Sequence, residues 1–309
     1  MIAAQKVDQL TRAEKAVIRA LLYFDIFKYP LTREELFTFA PEVCSDTTVL
    51  DELVANEMIY QVGKFYSVRN DLQLSLRREE GNTLAAKKMK AAQRVAKLIS
   101  FFPFIRSVQL SGSISKGYMD SSSDIDFFII TEANRLWIVR TSLALFRRVF
   151  LFNSHKYLCT NYFVDVQNLQ IPDRNIFTAT ELITLKPMYG KVFNEKFREQ
   201  NQWVFSFLPQ GNFREHVYTD PTWIFRSLME KFFSIFSLDQ FNQWLMQRTL
   251  LFWKKKYSTK IGVSDFEIAF RTKEGVSKSH PQFFQKKVLS IYQEHISAFE
   301  FTNGVDLSL

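Results

Sequence analysis

The chain has 309 residues, of which 47% are hydrophobic and 23% charged, with 32 phenylalanines and a net charge of +8. That leaves room for two or three globular domains with large cores, and a pI near 9.3 fits a partner carrying phosphates without separating nucleotide from nucleic acid or membrane surface. Two cysteines far apart, Cys44 and Cys159, exclude a disulfide framework and a zinc spacing. No apolar stretch marks the N-terminus as a secretory leader. The most apolar helix candidate, 136–152, is interrupted by Arg140, Arg147 and Arg148, which makes it too short and too charged to span a bilayer. The expectation is a soluble cytoplasmic protein with no membrane partner.

Residues 11–68 read as a small self-contained unit. Thr11-x-x-Glu14 and Thr32-x-x-Glu35 are capping boxes that open two helices, the first ended by Tyr29-Pro30 and the second by Pro41. Asp46 caps a third helix, in which Val49, Leu50, Leu53, Val54 and Met58 recur at helical spacing. Residues 59–62 and 65–68 are short strands around the Gly63-Lys64 turn. Three helices and a hairpin in this order resemble a winged helix, which implies DNA binding through the third helix. That helix carries Asp46, Asp51, Glu52 and Glu57 and neither Lys nor Arg. DNA affinity comes mostly from phosphate neutralisation, so specific DNA binding is not expected, and a packing or protein-contact role is.

Residues 77–100 form a basic helix, docked by Met89, Ala92, Ala96 and Ile99. Its Arg77, Arg78, Lys87, Lys88, Lys90, Arg94 and Lys97 read as a solvated face, part of which borders a site further on.

Residues 108–130, VQLSGSISKGYMDSSSDIDFFII, read as strand, loop, strand. Strand side chains alternate, so Asp124 and Asp126 point the same way. Neighbouring carboxylates repel unless a cation lies between them, and Mg²⁺ takes one or two carboxylates, waters and phosphate oxygens. Gly112 lets backbone approach a phosphate, and the Ser113 hydroxyl can hold its oxygens. Gly112-Ser113, ten residues, then Asp124-Ile125-Asp126 between apolar residues resembles the signature of the polymerase-β-like nucleotidyltransferase superfamily. The resemblance implies transfer of a nucleoside monophosphate from an NTP, with ATP the expected one, to an acceptor hydroxyl using two Mg²⁺ ions. Asp124 and Asp126 would hold both ions, Gly112 and Ser113 the β- and γ-phosphates, and Lys116 either neutralises phosphate charge or is a solvated loop residue.

The 135–152 helix buries Leu136, Val139, Leu143, Phe146 and Phe150 and carries Arg140 and Arg147 on another face. There they either reach a triphosphate or lie on the surface. In the 157–166 strand, Cys159, Asn161, Phe163 and Asp165 share a face. The resemblance calls for a third carboxylate on a neighbouring strand. It implies Asp165 as catalytic acid and metal ligand, activating the acceptor, with Asn161 its rival as a neutral ligand. Beyond residue 172 helices are expected at 178–186, opened by a Thr178-x-x-Glu181 capping box, at 190–206, at 221–257 with a break near Leu238, and at 280–300. Lys254, Lys255, Lys256, Lys260, Arg271, Lys273 and Lys278 add basic charge there. His155, His216, His280 and His295 show no ligand spacing.

The expected fold is α+β: a winged-helix-like domain (1–75), a polymerase-β-like nucleotidyltransferase core of mixed sheet covered by helices (76–174), and a helical C-terminal domain (175–309). This order resembles bacterial nucleotidyltransferase-domain proteins. The acceptor is open between small molecule, protein and RNA. The alternative is a non-catalytic nucleotide-binding regulatory module with the winged helix as output.

Overall fold

A computed structural model describes residues 10–46, 48–215, 220, 224–233, 235–257, 272–278 and 284–309. Lys260, Arg271, His216 and His280 lie outside these described residues. The protein is α+β, built on a mixed six-stranded sheet with helices on both faces. Among the described residues no helix is long and apolar enough to cross a membrane.

The N-terminal unit comprises α1 (Arg12–Asp25), β1 (Leu31–Thr32), α2 (Arg33–Phe39), α3 (Thr48–Ala55), β2 (Tyr60–Val62) and β3 (Phe65–Ser67). Both capping boxes form: the Thr11 and Thr32 hydroxyls accept from the backbones of Glu14 and Glu35, whose carboxylates reach back. Asp46 accepts from the Thr48 backbone at the start of α3. The hairpin gains a third strand, in the order β1-β3-β2. Val49, Leu50 and Leu53 are buried, while Asp51, Glu52 and Glu57 stay exposed.

The 29-residue helix α4 (Leu72–Ser100) runs from this unit to the central sheet. It is not a plain solvated face, because Arg78 is buried. Its guanidinium lies 3.6 Å over the Tyr29 ring and donates to Pro30 O, Glu35 and Asn82.

The sheet holds β4 (Ile105–Ser111), β5 (Asp126–Thr131), β6 (Cys159–Asp165), β7 (Lys186–Tyr189), β8 (Thr272–Lys273) and β9 (Val276–Lys278), in the order β7-β4-β5-β6-β9-β8. Among the described strands only β5 and β6 run parallel. A parallel pair needs a crossover, which α6 (Leu136–Phe150) supplies. The segment read as helical beyond residue 172 therefore needs correction. It also contributes β7, β8 and β9, strands too short to show a period of their own. Pro187 fits β7 because that strand is an edge and needs fewer ladder donors. The helices there are α7 (Ile176–Thr184), α8 (Lys191–Gln200) with a 3₁₀ turn at Gln202–Ser206, α9 (Ile224–Phe233), α10 (Leu238–Tyr257) and α11 (Phe284–Asn303).

Alternation on β5 gives the sheet two cores. Phe127 and Ile129 join α4, α6 and Trp253 on one face. Phe128 and Ile130 join α1, α2, α3, α7, α8 and α11 on the other. The N-terminal unit thus shares its core with the sheet. Tyr23 of α1 packs edge-on against Tyr292 of α11, and Lys15 pairs with Asp306.

On α6, Leu136, Val139 and Leu143 are buried as the spacing requires. Phe150 is 66% exposed and stacks on Phe146. Arg140 is half-buried between α6, α10 and β9, 4.6 Å over the Trp253 ring, with its Nε donating to Ser277. Burial there lowers its pKa to about 10.

Candidate functional site

The loop between β4 and β5 begins with α5 (Gly112–Ser115), a single turn. Gly112 has φ of 65°, and a Cβ on it would sit 2.5 Å from Asp126 Oδ2. A side chain is excluded twice there, by backbone conformation and by the carboxylate it would strike. This glycine lets the loop backbone lie directly against Asp126.

Gly112, Ser113, Lys116, Asp126 and Asn161 line one cavity of about 630 Å³. Lys116 is half-buried and paired rather than solvated. Its Nζ contacts Glu181 Oε1 at 2.8 Å and Gly112 O at 3.3 Å, and its own carbonyl accepts from the Tyr29 hydroxyl. Glu181, from α7, lines the same cavity. The expected Thr178 capping box does not form, because Asn175 is the cap and accepts from the Thr178 backbone. Glu181 is thereby left free to face inward.

Asp124 lies just before β5, outside the cavity lining. Its charge still reaches Asp126. The Asp126 carboxyl is pushed up from 3.8 to about 6, chiefly by burial, with Asp124 and Glu181 adding to the rise and Cys159 and Lys116 opposing it. Cys159, hydrogen-bonded to Asn161, is raised to about 12 by burial and by Asp126, so its thiol is unreactive at neutral pH.

The pH consequence for the metal-free protein has a definite sign. Because the folded-state value lies above the unfolded one, the native protein binds more protons between roughly pH 4 and 6, and stability falls as pH rises through that window. Thermal melts in EDTA across pH 4 to 7 should show this slope in the wild type. It should be shallower in Asp126→Asn, and an unchanged slope would remove Asp126 as its source.

Asp165 does not join the site, and its assignment as third metal acid is corrected. In the parallel pairing Asp126 faces Cys159 and Thr131 faces Asp165, so Asp165 lies five residues along the sheet from Asp126, roughly 16 Å away. It is buried and structural. Its Oδ1 accepts from the Gln167 backbone and the Asn168 amide, and its backbone N–H donates to Gly275 O in the β8–β9 turn. Asp165→Ala should cost about 2 kcal/mol through the two donors left unpaired while sparing any activity per folded molecule. A loss of activity at full stability would restore Asp165 to the site.

Asn161 is the residue beside Asp126, donating to Oδ1 at 3.2 Å. The β5–β6 register skips it, pairing Phe127 with Thr160 and Phe128 with Tyr162. A bulge of this kind re-aims one side chain. Strand parity in the sequence grouped Asn161 with Asp165, and the irregularity separates them.

Among the described residues no three His, Cys, Asp or Glu side chains form a group able to hold a metal ion by themselves. One or two carboxylates with nearby phosphates suit Mg²⁺, which keeps waters and substrate oxygens as ligands. Asp126, half-buried beside further carboxylates, is a group whose ionised form a cation would favour.

Much of the remaining wall is aromatic and comes from distant parts of the chain: Phe24, Phe27 and Tyr29 from the N-terminal unit, Phe177 from α7 and Phe284 from α11. Arg77 of α4 also lines it, 3.9 Å from Asp120 and over the Tyr118 ring. The remaining basic residues of that helix do not. No sequence pattern marks this wall, since it arises from packing between segments far apart. Comparison with known proteins yields no matching family model, no matching curated protein and no matching solved structure.

Proposed function

We propose that the cavity is the active site of a nucleotidyltransferase. The observation that carries this reading is the convergence of Gly112, Ser113, Lys116 and Asp126 on one cavity, with Asp126 held against the Gly112 backbone. Asp126, with Asp124 behind it, would hold Mg²⁺, two ions in the fullest form of the mechanism. When bound, Mg²⁺ supplies charge neutralisation at the phosphates. Gly112 and Ser113 would seat the β- and γ-phosphates of an NTP, ATP first among those to test. Lys116 would balance their charge. Asn161 orients the Asp126 carboxylate through its amide.

In the transfer, the acceptor oxygen forms a bond to the α-phosphorus and the α–β bridging bond breaks. Pyrophosphate leaves with the electron pair. The hydroxyl proton passes to Glu181, the cavity carboxylate paired with Lys116. The alternative is a non-catalytic nucleotide-binding regulatory module with the N-terminal unit as output, and the exposed acids of α3 count against DNA as the target of that output.

The test is incubation with each α-labelled NTP, Mg²⁺ and a cell extract. Covalent label on an extract component with release of pyrophosphate supports the reading. Label only in NTP or NMP, with every nucleotide, counts against it.

A further inference from the structure

The cavity holds more apolar wall than a triphosphate needs. Phe27, Phe177 and Phe284 come from three separate elements and meet in the lining. Phe284 lies 6.2 Å from Phe27 and 5.9 Å from Phe177, ring centre to ring centre. Phe284 keeps 43% of its surface exposed although its neighbours are apolar. Tyr162 adds a further ring, with Lys278 5.7 Å above it. Rings from three elements facing an open volume make a seat for a flat apolar group.

Charge placement bears on what that group belongs to. A polynucleotide acceptor would need basic residues leading to the site. The basic residues that line the cavity each face an acid: Arg77 lies 3.9 Å from Asp120, Lys116 pairs with Glu181 and Lys278 with Asp173. The exposed Lys87, Lys90, Arg94 and Lys97 of α4 and Lys254, Lys255 and Lys256 of α10 lie outside the lining. With walls from α1, α7, α11 and the sheet, the cavity has the volume of a small-molecule pocket.

We propose that the acceptor is a small hydroxyl compound with a flat, apolar body, seated against Phe27, Phe177 and Phe284. This rests on the nucleotidyltransferase reading for the role of acceptor, while the aromatic seat stands on the packing alone. The N-terminal unit then has a direct task, since Phe27 follows α1 and forms part of the acceptor wall.

The probe is naphthol, a fluorescent aromatic alcohol, titrated into the full chain with and without MgATP. Saturable binding is expected, weakened at least tenfold by Phe284→Ser, with MgATP binding measured by calorimetry unchanged. Phe27→Ser, on a separate element, should do the same and guards against one variant failing to fold. Absence of naphthol binding to a wild type that binds MgATP would overturn the inference. Competitive displacement of naphthol by MgATP would also overturn it, assigning the rings to the nucleobase. So would label from α-labelled NTP appearing only in the macromolecular fraction of an extract. Naphthol binding without any MgATP binding would instead sink the nucleotidyltransferase reading, and the acceptor role with it.

Discussion

Asp126→Asn is expected to lower nucleotidyl transfer by roughly a thousandfold or more, as removal of a group that stabilises transition-state charge does, while raising the melting temperature of the metal-free protein. The two effects share one cause. Asp126 is held in a half-buried place beside Asp124 and Glu181, where its ionised form is disfavoured. Asn has the same shape, keeps an oxygen for the Asn161 amide and removes the charge. A residue retained for packing would not gain stability when neutralised. A residue retained to hold a cation against phosphate would, because the unfavourable charge is compensated only when the cation is present. Activity should be compared at equal folded fraction. A variant that transfers at the wild-type rate would remove Asp126 from the mechanism, whatever its stability.

The second large effect concerns a residue outside the chemistry. Arg78→Met should destabilise the fold by about 3–5 kcal/mol, the range for breaking a buried ion pair from one side. Arg78 is 3% exposed and satisfies Pro30 O, Glu35 and Asn82 while stacking on Tyr29. Met fills similar volume but leaves Glu35 and the Pro30 carbonyl without their donor. Glu35 also closes the capping box of α2, so the loss extends to the helix start. Tyr29 then loses the guanidinium on its ring, and its hydroxyl is the group that holds the Lys116 carbonyl. Weakened nucleotide binding is therefore expected alongside the fall in stability. Chemical denaturation with calorimetry on the folded variant checks both. A change below about 1 kcal/mol, the level of an exposed ion pair, would mean that Arg78 does not clasp the N-terminal unit to α4.

What the sequence revealed of this fold is mostly local. The two capping boxes, the Gly63 hairpin and the strand–loop–strand around Asp126 each depend on residues a few positions apart, and each forms as the spacing requires. What stayed hidden depends on partners far away. Lys186-Pro187-Met188-Tyr189 is a strand only because β4 pairs with it, and β8 and β9 are too short to show a period. Plain alternation along β6 groups Asn161 with Asp165, but the bulge at Asn161 breaks it: Asp165 pairs with Thr131, five residues along the sheet from Asp126 and on its opposite face. Glu181 carries no site signal in the sequence because it completes a Thr178-x-x-Glu181 pattern, whereas the helix is capped by Asn175 instead. Lys116 has no local signal that tells a loop lysine from a site lysine, because its partner Glu181 lies 65 residues away. The aromatic wall had no local signal at all.

The most direct test of the central claim is calorimetric titration of the wild-type chain with ATP, GTP, CTP and UTP, in Mg²⁺ and again in EDTA. Three phosphate charges cannot settle beside Asp126, Asp124 and Glu181 without a compensating cation. The account predicts saturable binding of at least one NTP in Mg²⁺ and its loss in EDTA. Equal affinity in both conditions, or binding of none of the four in Mg²⁺, would contradict it.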